Sequence, residues 1–372
     1  MKALLLSCST GEGHNHCALA IKEALEAAGH EAEFLDMLQL CGEAPHIGIE
    51  TVLNSISSKR PEMFGVIYKA GQMYSATGIT SPVYLANIRY ADELCDLVEE
   101  RGYDAVVCSH LFPMETLTYI RRHRGLVTRC YGALSDYACI PFLEETELDR
   151  YFLPHEDVRA QCVSAGMAAR RLSVTGMPIA SAFVHRQDKA AARAALALPA
   201  DKKIYLVMTG GIGCGDAISQ CEALRAVPDE DSLIVVLAGR NEELRASLDE
   251  KYGAAGGVRA LPFTDRVAEY MSAADVLLSK AGGISSSESA AFGIPLVHTM
   301  AIPGIETLNA RFFAERGMSY FARNEDQAAR FADRLIYDGR ARDRMLQAQK
   351  SGLPADGAAR IVKLIEEDLS LF

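Results

Sequence analysis

Three glycine-rich loops, each following a short apolar run and preceding a helical pattern, carry the residues whose types and spacing suit chemistry. The first is Ser9-Thr10-Gly11-Glu12-Gly13-His14-Asn15-His16. Gly11 and Gly13 allow a backbone to approach a ligand closely at a helix N-terminus, where unpaired N–H groups and the dipole favour negative charge. His16 stands where a G-x-G-x-x-G loop has its third glycine, and Asp36 closes the next strand about 20 residues on, so a dinucleotide loop remains one alternative. His14 falls at the strand-to-helix turn, where a general base could reach a substrate hydroxyl; a loop-capping histidine is the other reading. His16 beside Cys17 lacks the distant partners a metal site needs, so no metal is expected there.

The second loop, Met208-Thr209-Gly210-Gly211-Ile212-Gly213, has the same design and suits a phosphate. The third is Ser279-Lys280-Ala281-Gly282-Gly283-Ile284-Ser285-Ser286-Ser287-Glu288. N–H groups from Gly283 to Ser286 could hold a diphosphate, and Glu288 could accept two hydrogen bonds from a ribose diol. A capping box over Ser285 to Glu288 fits the spacing as well. Beyond the next strand, Glu306 and Asn309 supply a carboxylate and an amide. The D-x-D spelling Asp229-Glu230-Asp231 precedes a strand, the wrong end for a ligand in a parallel sheet, and reads as a solvated turn.

Strand-like runs alternating with helical patterns must position these loops, which predicts an α/β protein with parallel sheets. The first series is Lys2 to Cys8, Glu31 to Asp36, Asp104 to Cys108, Val127 to Leu134, Arg150 to Leu153 and Leu172 to Thr175. The second is Ile204 to Met208, Leu233 to Ala238, Val258 to Leu261, Val276 to Ser279, Leu296 to His298 and Met318 to Phe321. Two tandem Rossmann-like domains are expected, over 1–180 and 181–372, facing across a cleft, with the last helix packing back on the first. The stretch 46–90 breaks the rhythm: Ile47 to Ile56 and Met63 to Tyr84 are apolar, reading either as helix buried against the sheet or as a lid or membrane-facing surface.

The 372 residues include 38 basic and 49 acidic ones, a formal net charge of −11, and both halves are acidic. Phosphate-backbone binding needs basic surface, so a general nucleic-acid binder is excluded. The one basic run, Arg121-Arg122-His123-Arg124, suits a helix C-terminus; a lipid-headgroup patch is the alternative. Ten scattered cysteines without C-x-x-C read as reduced thiols in a cytosolic protein. The apolar run at Met1 to Leu6 is too short to span a membrane and reads as a buried first strand.

The loops Gly11-Glu12-Gly13-His14, Gly210-Gly211-Ile212-Gly213, Lys280-Ala281-Gly282-Gly283 through Glu288, and Pro303-Gly304-Ile305-Glu306-Thr307-Leu308-Asn309, in this order over nearly the whole chain, resemble the monogalactosyldiacylglycerol synthase and processive diacylglycerol glucosyltransferase family. That family is related to the peptidoglycan lipid II N-acetylglucosaminyltransferase and has the two-Rossmann GT-B fold. The resemblance implies an inverting transfer of glucose or galactose from a UDP-sugar to diacylglycerol, with no metal and no cofactor beyond the donor, at the cytoplasmic face of the membrane. It makes His14 the catalytic-loop histidine, with Glu306 beside it in the catalytic set and paired with Asn309 toward the sugar. Gly210, Gly211, Gly213, Gly283, Ser285 and Ser286 match the diphosphate loops, Glu288 the ribose carboxylate and Phe263 the residue whose backbone meets uracil. Gly11, Gly13, Met73, Tyr74, Arg121, Arg122 and Arg124 fall on the acceptor and membrane side. Ile305 stands where these enzymes usually carry Gln. Transfer to a soluble or isoprenoid-linked acceptor, and a non-catalytic UDP-sugar-binding protein, are the alternative functions.

Overall fold

The computed structural model describes residues 1–9, 12–41, 61–211, 213, 216–227, 231–253, 257–299, 301 and 303–371. It divides into two compact units, Met1–Ser181 with Ile302–Ile305 and Pro354–Phe372, and Ala182–Ala301 with Glu306–Leu353.

The first unit is built on β1 (Lys2–Ser7), β2 (Glu31–Asp36), β3 (Ala105–Cys108), β4 (Arg129–Ala133), β5 (Arg150–Leu153) and β6 (Leu172–Val174). They form one parallel sheet in the order β2-β1-β3-β4-β5-β6. The central strands are apolar along their length because helices cover both faces, and Leu4, Leu6, Val106, Cys108, Leu117 and Ile120 meet in one core. β4 is shorter than the apolar run suggests, since Val127 lies ahead of the sheet and is 93% exposed.

The second unit repeats the plan with β7 (Lys203–Met208), β8 (Ser232–Leu237), β9 (Val258–Leu261), β10 (Val276–Ser279), β11 (Leu296–His298) and β12 (Tyr320–Phe321), ordered β12-β11-β10-β7-β8-β9. β12 also begins later than expected. The Met318 N–H donates to Phe313 O and closes the preceding helix, so it cannot join the ladder. Each unit is therefore a Rossmann-like α/β layer structure.

Two segments complete the first unit. Helix Gly357–Ser370 buries Ala358, Ile361, Val362 and Ile365 along one face at helical spacing. Its polar side is tied down as well: Arg150 donates to both oxygens of Asp368 at 2.8 and 2.5 Å, and His30 Nε2 lies 2.8 Å from Glu366. The other segment comprises helices Pro61–Ser75 and Pro82–Asn87, the latter capped by Ser81, whose Oγ accepts from Tyr84 N–H. Tyr84 and Asn87 point inward, and Asn87 donates to Glu115, whose burial pushes its carboxyl up to about 8. Several apolar side chains turn outward, with Val66 67%, Met73 76% and Leu85 60% exposed, while Tyr68, Tyr74 and Val83 are half-buried. The described part of this segment is thus mixed, one side covered and the other open; residues 46–60 lie outside the described part.

The Arg150–Asp368 pair generates a test. Removing both charge-assisted hydrogen bonds with Asp368→Ala should lower stability by about 1 to 3 kcal/mol in urea unfolding and speed proteolytic release of the last helix. An unchanged unfolding midpoint would show that the apolar face alone holds the helix.

Candidate functional site

In the first unit, the loop after β1 is fixed by Asp36 at the end of β2, which accepts from Ser9 N–H at 3.1 Å and Leu38 N–H at 3.0 Å. Helix Glu12–Ala27 has Glu12 in its first turn, where a carboxylate suits the dipole. Gly13 and His14 accordingly sit in the first helical turn; Gly11 lies outside the described residues. His14 Nδ1 is 2.9 Å from Ser109 O and 3.0 Å from Ser135 Oγ, so residues following β3 and β4 hold the ring from behind. A carbonyl oxygen can only accept, so Nδ1 carries the proton and the lone pair of the neutral ring lies on Nε2.

His110 meets the His14 ring edge-on, 4.5 Å between centroids, while its Nδ1 accepts from Phe112 N–H and caps helix Leu111–His123. Burial, and secondarily the neighbouring His14, hold His110 well below the usual imidazole range, so it stays neutral. Ser109, His110 and Ser135 were missing from the sequence-derived set. Their signal was position alone, directly after strands β3 and β4.

The expected membrane-side residues separate. Met73 is exposed, but Tyr74 packs on Phe142, 6.2 Å between centroids, and donates to Thr80 O. The arginines of the basic run each have an acidic partner. Arg121 makes a two-point bond to Asp149, which also accepts from Arg129 and from Cys130 N–H. Arg122 pairs with Glu147 at 3.3 Å and Arg124 with Asp92 and Asp96. Arg121, Arg122 and His123 occupy the last turn of their helix, where cations complement the dipole, and acidic neighbours match Arg121, Arg122 and Arg124.

In the second unit, the turn after β7 depends on glycine. Gly210 and Gly213 have φ of +80° and +68°, and a Cβ on Gly213 would run into Asn241 and Ala238 O. The carbonyls of Gly211 and Gly213 accept from Arg240 N–H at 2.9 Å and Asn241 Nδ2 at 3.0 Å, locking the turn to the loop after β8. Arg240 also stacks its guanidinium 4.4 Å over the ring of half-exposed Phe263.

The turn after β10 leads into helix Gly283–Phe292, whose N-cap is Gly282 with no side-chain hydrogen bond. That rules out a capping box: Ser285 is the third helical residue and Glu288 the sixth. The helix start keeps its first-turn N–H groups without a side-chain cap, as an anion cradle requires. Ser285 Oγ turns back to Gly282 O at 3.3 Å, and Ser286 Oγ is 3.0 Å from His298 Nε2, whose Nδ1 lies 3.1 Å from Ser319 Oγ. Ser286 is therefore a buried packing contact rather than a diphosphate ligand; its N–H also bonds Gly282 O. Burial drives His298 down to about 3, fixing a neutral ring between the two serines. Glu288 is buried, and burial raises its carboxyl to about 8.

Lys280, which the sequence reading did not single out, joins these parts. It forms an ion pair with Glu306, and its chain lies against Gly210, where a Cβ would stand 2.9 Å from Lys280 Cε. Asn309, fully buried, donates to Ala281 O at 3.2 Å and so braces the turn before the open helix start. A cavity of about 470 Å³ opens beside Thr209 and Lys280, toward Gln220, Thr299 and Arg323. Among the described residues no cluster of His, Cys, Asp or Glu could hold a metal ion, and no helix is long and apolar enough to cross a membrane. Asp229 and Glu230 lie outside the described residues.

Comparison with known proteins agrees with this division. Residues 14–179 match the monogalactosyldiacylglycerol (MGDG) synthase family and residues 189–351 the glycosyl transferases group 1 family. The chain is 26% identical over 354 residues to a processive diacylglycerol beta-glucosyltransferase of Bacillus licheniformis, covering 94% of this chain and 90% of the relative. A Bacillus mycoides enzyme of the same name is 25% identical over 370 residues, covering 98% and 93%. Among solved structures it resembles S. aureus MnaA with UDP (TM-score 0.65, 15% identity, covering 100% of this chain and 98% of that one). It also resembles Acinetobacter baumannii MurG (TM-score 0.63, 14% identity, covering 98% and 99%). The architecture is thus the GT-B fold.

The Lys280–Glu306 pair can be tested without substrate. Glu306 is 9% exposed at its side chain, so Lys280→Met leaves a nearly buried carboxylate without its cation and should cost about 1 to 3 kcal/mol, while Lys280→Met with Glu306→Gln should recover much of that loss. Strictly additive losses in this double-mutant cycle would mean the two side chains are not coupled.

Proposed function

We propose that this glycosyltransferase, a monogalactosyldiacylglycerol synthase domain followed by a group 1 glycosyl transferase domain, moves a hexose from a UDP-sugar to the hydroxyl of diacylglycerol with inversion at the anomeric carbon and without a metal. Two features, each within its own unit, support this reading: in the first, an imidazole held with its proton on Nδ1, and in the second, an uncapped helix start beside a glycine turn and Lys280.

In this reading His14 Nε2 takes the proton of the acceptor hydroxyl as its oxygen attacks the anomeric carbon, and the bond to the UDP oxygen breaks on the opposite face. The charge that develops on the diphosphate is borne by the N–H groups of Gly283 to Ser285, the turn Gly210–Gly213 and the Lys280 ammonium, which fill the place a metal takes in other transferases. Glu288 accepts the ribose hydroxyls, Arg240 and Phe263 flank the base, and Glu306 with Lys280 meets the sugar. The exposed Val66, Met73 and Leu85 are the contact with the cytoplasmic face of the bilayer. The arginines of residues 121–124 take no part, which makes this attachment apolar rather than electrostatic.

Purified protein given UDP-glucose or UDP-galactose and diacylglycerol in vesicles should transfer hexose in the presence of EDTA, and His14→Ala should lower turnover by about 10²-fold or more while leaving UDP affinity nearly unchanged. Val66→Ser with Met73→Ser should lower transfer to vesicle-embedded acceptor only. Transfer to a water-soluble acceptor in place of diacylglycerol would overturn the substrate assignment, and loss of activity restored by Mg²⁺ would overturn the metal-free mechanism.

Glu288 yields a pH dependence. Its carboxyl is mostly protonated below about 8, and a ribose diol favours the ionised form, so UDP binding should release a proton and tighten as pH rises. Calorimetry should show affinity increasing roughly tenfold between about pH 6.5 and 7.5, with Glu288→Gln abolishing the slope and weakening UDP by about 1.5 to 3 kcal/mol. A flat profile in the unaltered protein would remove Glu288 from the donor site.

A further inference from the structure

The back of the His14 ring has two neighbours that could set its protonation, and they make opposite demands. Ser109 O, 2.9 Å from Nδ1, is a carbonyl and admits only an N–H. Ser135 Oγ, 3.0 Å from the same nitrogen, is a hydroxyl and could either accept that proton or donate its own. If it donated, the ring would be pulled toward the other tautomer, with the proton on Nε2. Ser135 is 7% exposed, so bulk water does not decide the matter. The next residue does: Ser135 Oγ lies 3.4 Å from Asp136 Oδ2, and a carboxylate can only accept.

We propose that Asp136 is a positioning residue for the His14 ring, drawing the Ser135 hydroxyl proton away from Nδ1 and so keeping Ser135 and Ser109 both as acceptors of the Nδ1 proton. The ring lone pair is thereby confined to Nε2, and the carboxylate, one hydroxyl away, favours the imidazolium that forms when Nε2 takes a proton. The role rests on the reading of His14 as the base.

The other titratable groups facing this relay do not supply the charge. His110, edge-on to His14 from the start of helix Leu111–His123, is neutral. Cys17, one turn along helix Glu12–Ala27, and Tyr68, from helix Pro61–Ser75, both feel Asp136, but burial pushes thiol and phenol up and keeps them uncharged. Asp136 also lies three residues beyond the end of β4, and Leu134 N–H between them is still bonded to Phe152 O of the neighbouring strand.

The isosteric Asp136→Asn is the informative change, because its amide can donate to Ser135 Oγ and turn the hydroxyl toward Nδ1. Histidine ¹⁵N NMR on the full chain without substrate should show His14 predominantly protonated on Nδ1 in the unaltered protein and shifted toward Nε2–H in Asp136→Asn. Transfer should fall about 10-fold or more, and the acid limb of its pH profile should move down by roughly half a unit or more as the imidazolium loses its carboxylate. Ser135→Ala should lower turnover, and Ser135→Thr, which keeps the hydroxyl, should recover much of it. An unchanged His14 tautomer in Asp136→Asn would overturn the proposal. A changed tautomer with unchanged transfer would uphold the positioning and overturn His14 as the base.

Discussion

A parallel strand must be re-entered from the same end, and that constraint decides where everything else in this protein lies. Each crossover helix begins just beyond the carboxyl end of one strand, so strand ends, turns and helix N-termini accumulate along one edge of each sheet. His14, Ser109 and Ser135 follow β1, β3 and β4, while Gly210, Lys280 and Glu306 follow β7, β10 and β11. Residues up to 121 positions apart in sequence are hydrogen-bonded because the topology delivers them to the same edge. Side-chain chemistry then works on a backbone already rich in unpaired N–H groups.

That regularity is why the architecture was legible in the sequence. Short apolar runs bounded by turn residues gave five of the twelve strands their observed limits, and those that differed did so for local reasons such as the exposure of Val127. The glycine turn after β7 was legible because Gly210 and Gly213 occupy backbone conformations that other residues resist. What could not be read was pairing between side chains distant in sequence. Lys280 looked like part of a loop until Glu306 was found against it, and Ser286 looked like a ligand until His298 was found to hold its hydroxyl. The serine-rich helix start was likewise ambiguous, since capping box and open cradle share a composition and differ only in which residue is the N-cap.

Charge is managed locally rather than globally. A chain with a net charge of −11 would repel a polyanion at long range, yet its second unit concentrates uncapped N–H groups and Lys280 at one place, where separation is short enough for local terms to dominate. The first unit shows the converse. Its basic run looks like an anion patch in sequence, but Arg121, Arg122 and Arg124 each pair with an acidic side chain, Asp149, Glu147, Asp92 or Asp96.

The return of helix Gly357–Ser370 to the first unit has a bearing on how the chain acquires its structure during synthesis. β1 to β6 leave the ribosome first, but the surface that carries Arg150 and His30 waits uncovered until the whole second unit has emerged. The amino-terminal unit thus has its first and last residues separated by the whole of the second unit. Ribosome-bound intermediates would display the apolar strip that later receives Ile361 and Ile365, a natural resting place for a chaperone. A fragment ending near residue 181 would carry that same unfinished face permanently, whereas residues 182–353 contain every strand of their own sheet.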